Sequence, residues 1–126
     1  MEENTRFYKC PLCGKVIGMI HDPGVPTICC GREMELLVAN TTDAAVEKHV
    51  PVYEIDGSKI VVSVGSVEHP MTEEHFIMWI ALVSDNRTIR KQLHPGEKPE
   101  VVFPYAKGAT VYVYCNVHGL WKNDVS

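Results

Sequence analysis

Four cysteines near the N-terminus limit most strongly what this chain can fold into. Cys10 and Cys13 form a Cys-x2-Cys motif, and Cys29 and Cys30 follow as immediate neighbours. A tight turn through such a motif directs both thiolates to one point, and four thiolates make a tetrahedral site suited to zinc or iron. A segment this short rarely folds without a metal or a partner chain. The sequence therefore predicts a small metal-stapled domain over residues 1–37.

Spacing alone leaves the first metal open between zinc and iron. One alternative is a zinc-ribbon-like staple with no redox role. Successive side chains point apart, so the adjacent pair Cys29 and Cys30 should distort the tetrahedron, and this favours iron. A vicinal disulfide between the same two residues is a further alternative.

Length and charge bound the kind of protein. The chain has 126 residues, 45% hydrophobic and 22% charged, as in a globular protein with one ordinary domain or two small ones. Its net charge of −4 lacks the basic excess of a nucleic-acid-binding protein. No apolar run approaches the roughly 20 residues of a membrane span, and the polar N-terminus lacks the apolar core of a secretory signal. We expect a cytoplasmic protein without nucleic-acid or membrane partners, whose five cysteines stay reduced as potential metal ligands.

A polar stretch at residues 40–43 is the predicted linker, and from Val50 onward the sequence predicts β-structure. Short apolar runs are separated by turn signals, of which Asp56-Gly57 is a strong hairpin signal. The predicted strands cover residues 52–55, 60–64, 75–83, 88–92, 101–103 and 110–115.

The patterns within these strands indicate their places in the fold. Residues 75–83 are apolar on both faces, as expected of a central strand. Alternation puts Cys115 on the same face as Val111 and Val113. A single helical turn is expected within residues 43–48. Six or seven short strands with regular turns predict an immunoglobulin-like β-sandwich over residues 38–126, so the whole chain should be mainly β.

Five candidate metal ligands in this second domain stand at predicted strand ends or in loops. They are His49, His69, His75, Cys115 and His118. Loops at one end of a sandwich can gather side chains from distant parts of the sequence. One histidine alone is usually a surface residue, and we expect this of His21 and His94. Five soft or borderline ligands in such positions instead predict a metal site.

The combination and order of these motifs resembles the desulfoferrodoxin family, the two-iron class of superoxide reductases. The resemblance covers essentially the whole chain. Residues 1–37 are similar to desulforedoxin, a rubredoxin-type iron domain, through the four cysteines. Residues 38–126 are similar to the superoxide reductase domain through Glu-Lys-His-Val-Pro at 47–51, His-Pro-Met at 69–71, His75, and Cys-Asn-Val-His-Gly at 115–119. Leu120 departs from many relatives, which carry a histidine there, but that position is not a ligand in the family.

The resemblance implies two irons per chain. The first would be an Fe(Cys)4 centre at Cys10, Cys13, Cys29 and Cys30. The second would be an Fe(His)4(Cys) centre with His49, His69, His75 and His118 in a plane and Cys115 axial.

The resemblance also implies an activity, which is the one-electron reduction of superoxide to hydrogen peroxide without production of dioxygen. Lys48 would attract the anion, and Glu47 would become the sixth ligand once the iron is oxidised. Rubredoxin or a similar donor would return the electron, and the protein would be a homodimer.

Two rival functions rest on the same residues. A copper electron carrier also takes histidines and a cysteine from strand ends, but such sites usually have a methionine shortly after the last histidine. Nothing after His118 is a methionine. A non-catalytic module with a zinc staple would leave the five-ligand pattern unexplained.

Overall fold

The chain divides into two compact units in a computed structural model that describes residues 6–126. The first unit is Met1–Val38 and the second is Ala39–Ser126. The first five residues of the polar N-terminal segment lie outside the described residues. No helix among residues 6–126 has the length and apolar character that crossing a membrane requires.

The first unit is built from short antiparallel strands. They are β1 (Arg6–Lys9), β2 (Val16–Met19), β3 (Ile28–Cys29), β4 (Arg32–Glu33) and β5 (Glu35–Leu36). Strand β1 lies between β2 and β5, while β3 and β4 form a separate hairpin. Among the described residues of this unit, the buried apolar side chains are Phe7, Cys10 and Met34. So small a core agrees with a unit that a metal holds together.

The second unit is a sandwich of antiparallel strands. A short helix, α1 (Val46–His49), precedes the strands β6 (Pro51–Asp56), β7 (Lys59–Val64), β8 (Ile77–Ser84), β9 (Arg87–Gln92), β10 (Glu100–Pro104), β11 (Thr110–Cys115) and β12 (Gly119–Asp124). One sheet has the order β10-β7-β6, and the other has the order β12-β11-β8-β9. This confirms the mainly β fold with a sandwich after a small cysteine-bearing unit.

The core lies between the two sheets and ends at a cysteine. Val111, Val113 and Cys115 of β11 all belong to one buried cluster, to which β7 contributes Ile60 and Val62. The alternation predicted for β11 is thereby confirmed, because Tyr112 and Tyr114 lie outside this cluster. Cys115, the last residue of β11, is fully buried.

The strands and the helix of the second unit agree with those predicted from the sequence except at three places. Strand β8 begins at Ile77 rather than at residue 75, because His75 and Phe76 lie in the preceding loop. The helical turn covers Val46–His49 rather than lying within residues 43–48. Strand β12 was not predicted, since its adjacent apolar residues Leu120 and Trp121 break the alternation expected of a strand.

Candidate metal centres

The four cysteine sulfurs of the first unit converge, all lying within 4.8 Å of one another. Cys13 Sγ lies 3.8 Å from Cys29 Sγ, which lies 4.0 Å from Cys30 Sγ. Sulfurs held about 2.3 Å from a common ion at tetrahedral angles lie about 3.8 Å apart. The cluster therefore has the dimensions of a four-thiolate metal site, and the sulfurs of Cys29 and Cys30 are too far apart for a vicinal disulfide.

A two-residue turn lets adjacent cysteines face the same point. Cys29 pairs with Arg32 across the β3–β4 hairpin, which leaves Cys30 and Gly31 as the turn. Both have positive φ, 55° and 71°, the pattern of a type I′ turn. The left-handed backbone at Cys30 lets its side chain turn toward the other three sulfurs. Residues other than glycine, asparagine and aspartate rarely adopt a left-handed conformation. A cysteine at this position is therefore explained by its role in the metal site rather than by the turn.

Electrostatics in this cluster call for a cation. The backbone N–H of Cys13 donates to Cys10 Sγ at 3.5 Å and lowers the pKa of Cys10 to about 6. The neighbouring thiols, Cys13 first, raise the pKa of Cys30 to about 12. One thiolate therefore forms readily while a second is opposed by the first. A metal ion removes that opposition, because its charge stabilises every thiolate that it binds.

The candidate ligands of the second unit come from strand ends that pair with one another. Pro51 at the start of β6 pairs with Val64 at the end of β7, and Cys115 pairs with Ile77 at the start of β8. His49 immediately precedes β6, while His69 and His75 lie in the connection from β7 to β8, and His118 lies in the β11–β12 turn. The same end of each sheet thus supplies ligands.

These side chains meet at one point. Ligand atoms of His49, His69, His75 and Cys115 all lie within 4.8 Å of one another. His118 joins them, with Nδ1 at 3.1 Å from His49 Nε2 and 3.9 Å from Cys115 Sγ. The structure therefore brings together all five ligands predicted from the sequence. His21 and His94 are exposed and lie outside this cluster.

Backbone carbonyls select which imidazole nitrogens face the centre. His49 Nδ1 donates to Ala45 O at 2.7 Å, and His69 Nδ1 donates to Pro70 O at 2.6 Å. Their Nε2 atoms, which then carry lone pairs, face each other at 3.1 Å. Two lone pairs this close repel unless a cation accepts both, and nitrogens bound at right angles about 2.1 Å from one ion lie about 3.0 Å apart. The donor set fits a metal.

Burial keeps these imidazoles neutral. Burial lowers the pKa of His69 to about 4 and also lowers the pKa of His49. The pKa of His75 is lowered first by burial and further by the proximity of His118 and Lys48. His75 Nε2 is buried without a hydrogen-bond partner among the described residues. A neutral imidazole with an unused nitrogen is the form that binds a metal.

Two opposing effects act on the pKa of the Cys115 thiol. Burial raises its pKa, while the backbone N–H groups of His118 and Val117 lower it. The N–H of His118 donates to Cys115 Sγ at 3.4 Å. A buried thiolate needs a cation, and the N–H donors stabilise it once formed.

Trp121 supports two of the ligands, a role the sequence did not indicate. Its ring stacks on His49 with centroids 4.8 Å apart, and its Nε1–H donates to His118 O at 3.1 Å. Trp121 is almost fully buried. The unpredicted strand β12 therefore carries a residue that fixes one ring and one loop of the centre.

The charged pair before His49 lies on the surface beside the centre. Glu47 and Lys48 are both exposed on α1. The carbonyl of Glu47 accepts from Val67 N at 2.9 Å, and a Cβ on Gly65 would lie 2.5 Å from that oxygen. Gly65 has φ 75°, so both its conformation and its lack of a side chain allow this close approach. The turn bearing Lys48 is thereby seated against the loop that leads to His69.

Two separate donor sets, four thiolates in the first unit and four imidazoles with a thiolate in the β-sandwich, define a two-centre metalloprotein. The desulfoferrodoxin family model matches residues 41–124, and the model of the desulfoferrodoxin N-terminal domain matches residues 2–37. The chain belongs to the desulfoferrodoxin family. Its two donor sets fit the two iron centres of that family, and the family match favours iron over the copper-carrier and zinc-module alternatives.

Individual relatives agree with this assignment. A desulfoferrodoxin of Syntrophotalea carbinolica is 49% identical over 98% of this chain and 99% of its own length. The crystal structure of the superoxide reductase from Treponema pallidum has a TM-score of 0.75 at 35% identity and covers 94% of this chain and 98% of its own. The superoxide reductase (1Fe-SOR) of Giardia intestinalis has a TM-score of 0.57 at 34% identity, covering 64% of this chain and 98% of its own.

Proposed function

We infer that this protein is a superoxide reductase, an oxidoreductase that adds one electron and two protons to superoxide and releases hydrogen peroxide without forming dioxygen. The observation that carries this function is the convergence of four imidazoles and one buried thiolate in a desulfoferrodoxin chain. Two related structures are themselves superoxide reductases. We assign the ligands as follows: Cys10, Cys13, Cys29 and Cys30 for the first iron, and His49, His69, His75, His118 and Cys115 for the second.

The chain's own residues prepare the second centre for an anion. Iron bound there supplies the electron when it is ferrous. Four neutral imidazoles and one thiolate neutralise only one of the two positive charges of a ferrous ion, so the centre stays cationic. The carbonyls of Ala45 and Pro70 hold two rings in the tautomer that binds metal. Exposed Lys48 adds a positive charge whose field acts on His75. The same field can guide superoxide toward the second centre.

The activity is tested by metal analysis together with superoxide consumption. The purified protein should contain two irons per chain and consume superoxide in pulse-radiolysis or stopped-flow measurements. Hydrogen peroxide should accumulate without dioxygen, which separates a reductase from a dismutase. A chain with both irons that leaves superoxide unconsumed would refute the assignment.

We propose that residues 1–37 form a desulforedoxin-like iron domain and residues 38–126 form the superoxide reductase domain. The one-iron enzyme of Giardia intestinalis corresponds to only 64% of this chain, which supports activity without the first centre. The two ligand sets also share no residue. The first centre would then store or relay electrons rather than meet superoxide.

The Cys30→Ser variant tests this division. We expect it to disturb the first centre, because Cys30 is one of its four sulfurs, while the second centre keeps its fast reaction with superoxide. Iron content and the visible spectrum report the loss at the first centre, and pulse radiolysis reports the rate at the second. Slowed reduction in a variant whose second iron remains in place would mean that the two centres are coupled.

We further propose a homodimer that receives electrons from rubredoxin or a similar small donor in the cytoplasm. The first unit exposes several large aliphatic side chains, which supports association with a second copy. They are Leu12, Ile20, Val25, Ile28, Leu36 and Val38. The five cysteines form no disulfide with one another, which agrees with a reducing compartment. Sedimentation equilibrium would measure the mass, and a monomer would contradict the dimer.

A further inference from the structure

Asn116 links the two segments that carry Cys115 and His75. Its side-chain Oδ1 accepts from Phe76 N at 2.9 Å, and its Nδ2 donates to Glu74 O at 3.0 Å. These two residues lie on either side of His75. One carboxamide, directly after Cys115, therefore holds both neighbours of a predicted ligand in a different loop.

The contact lies where regular strand pairing stops. The β11–β8 register shifts between Tyr114 and Cys115, so the ladder is irregular just before Asn116. The backbone N–H of Asn116 still donates to Phe76 O at 3.2 Å. The side-chain oxygen then takes the place that a strand carbonyl would fill, and completes a two-point pairing with Phe76.

The hydrogen bonds between Thr72 and His75 within this loop are local. Thr72 N donates to His75 O at 3.0 Å, and His75 N donates to Thr72 Oγ1 at 3.2 Å. These bonds close the loop on itself and do not fix its position relative to β11. The side chain of Asn116 supplies that connection together with the backbone bond from Asn116 N to Phe76 O.

We propose that Asn116 is a positioning residue for the second metal centre, setting the His75 ring in register with the Cys115 thiolate. Asparagine suits this role because its short carboxamide offers an acceptor and a donor together. Aspartate would keep the acceptor and lose the donor, while alanine would lose both. The inference rests on the proposed function in so far as His75 and Cys115 are taken as ligands of one iron.

The experiment compares iron retention in the full-length, iron-loaded protein with that in Asn116→Ala. Each oxidised protein is challenged with an excess of chelator, and loss of the second iron is followed by its thiolate absorption band. Removal of groups that orient metal ligands typically weakens metal binding by 10 to 100-fold. We expect Asn116→Ala to lose the second iron about tenfold faster and to shift the band, while the first centre is unchanged.

Asn40→Gly is the matched control. The Asn40 side chain makes a similar pair of hydrogen bonds to the backbone of one residue, accepting from Lys122 N at 2.9 Å and donating to Lys122 O at 3.3 Å. Glycine accepts the positive φ of 62° at this position. We expect this variant to retain iron like the unsubstituted protein, because neither bond touches a neighbour of His75.

Three results would overturn the proposal. One is unchanged retention and spectrum in Asn116→Ala, and another is equal iron loss in Asn40→Gly, which would mark a general loss of stability. If the alanine variant does not fold, Asn116→Asp is tested in its place. Unchanged iron retention in Asn116→Asp is the third result that would overturn the proposal. Superoxide consumption by the unsubstituted protein is measured separately, so failure of the proposed function is distinguished from failure of this role.

Discussion

The Cys115→Ser variant is expected to lose superoxide reduction even where it still binds iron. Cys115 supplies the one anionic ligand of the five assigned to the second centre, and a serine hydroxyl is a far poorer electron donor than a thiolate. The thiolate is held by burial in the core and by the N–H of His118 at 3.4 Å. Turnover should fall below detection, and the thiolate absorption band should vanish from the spectrum of the oxidised protein.

The same substitution in the first centre, Cys30→Ser, is the matched control for this test. It removes one sulfur from the protein and leaves Cys115 in place, so reduction of superoxide should continue. Iron must be quantified in both variants, since an empty second centre would be inactive for a trivial reason. Near-normal turnover by an iron-loaded Cys115→Ser protein would refute the role of the thiolate.

Replacing Lys48 by isoleucine is expected to slow the bimolecular reaction with superoxide about tenfold, the low end for electrostatic steering. The whole chain carries a net charge of −4, so attraction of an anion depends on charges close to the centre. Lys48 is exposed, and its charge already lowers the pKa of His75. The slowing should shrink as salt rises, because charges beyond about 8 Å are largely screened at physiological ionic strength.

Two further variants make the steering test specific. Lys59 is also exposed but lies at the far end of β7 from the centre, so Lys59→Ile should leave the rate unchanged. Glu47→Ala should leave the bimolecular step intact and change the spectrum of the oxidised protein, as expected of a sixth ligand. Rates are measured by pulse radiolysis at two ionic strengths. An unaltered low-salt rate in Lys48→Ile would disprove steering by this residue.

Local patterns in the sequence account for the strands and for the candidate ligands. Alternation located β11 and its buried face, and Asp56-Gly57 located the hairpin between β6 and β7. The cysteine spacing and the placing of histidines near strand ends pointed to two centres, because ligand chemistry restricts those residue types. Each of these signals is local, because it depends on the position of a residue in its own strand, turn or motif.

The remaining features arise from contacts between distant residues. Asn116 bonds to Phe76 across a separation of 40 residues, and no local pattern marks such a pair. In the sequence Trp121 is an ordinary apolar residue, and only the structure shows that its ring stacks on His49. The turn at Cys30 is local, but its positive φ, which residue alternation does not reveal, brings the side chain inward.

The two centres differ in how far apart their ligands lie along the chain. The first is closed by cysteines between positions 10 and 30, whereas the second needs residues from His49 to His118. Because a chain is synthesised and folds from its N-terminus, the first centre can bind its ion while the β-sandwich is still being translated. The second centre must wait until β11 has paired with β8. A ribosome stalled before Cys115 would thus carry a finished four-thiolate centre and three histidines without the thiolate.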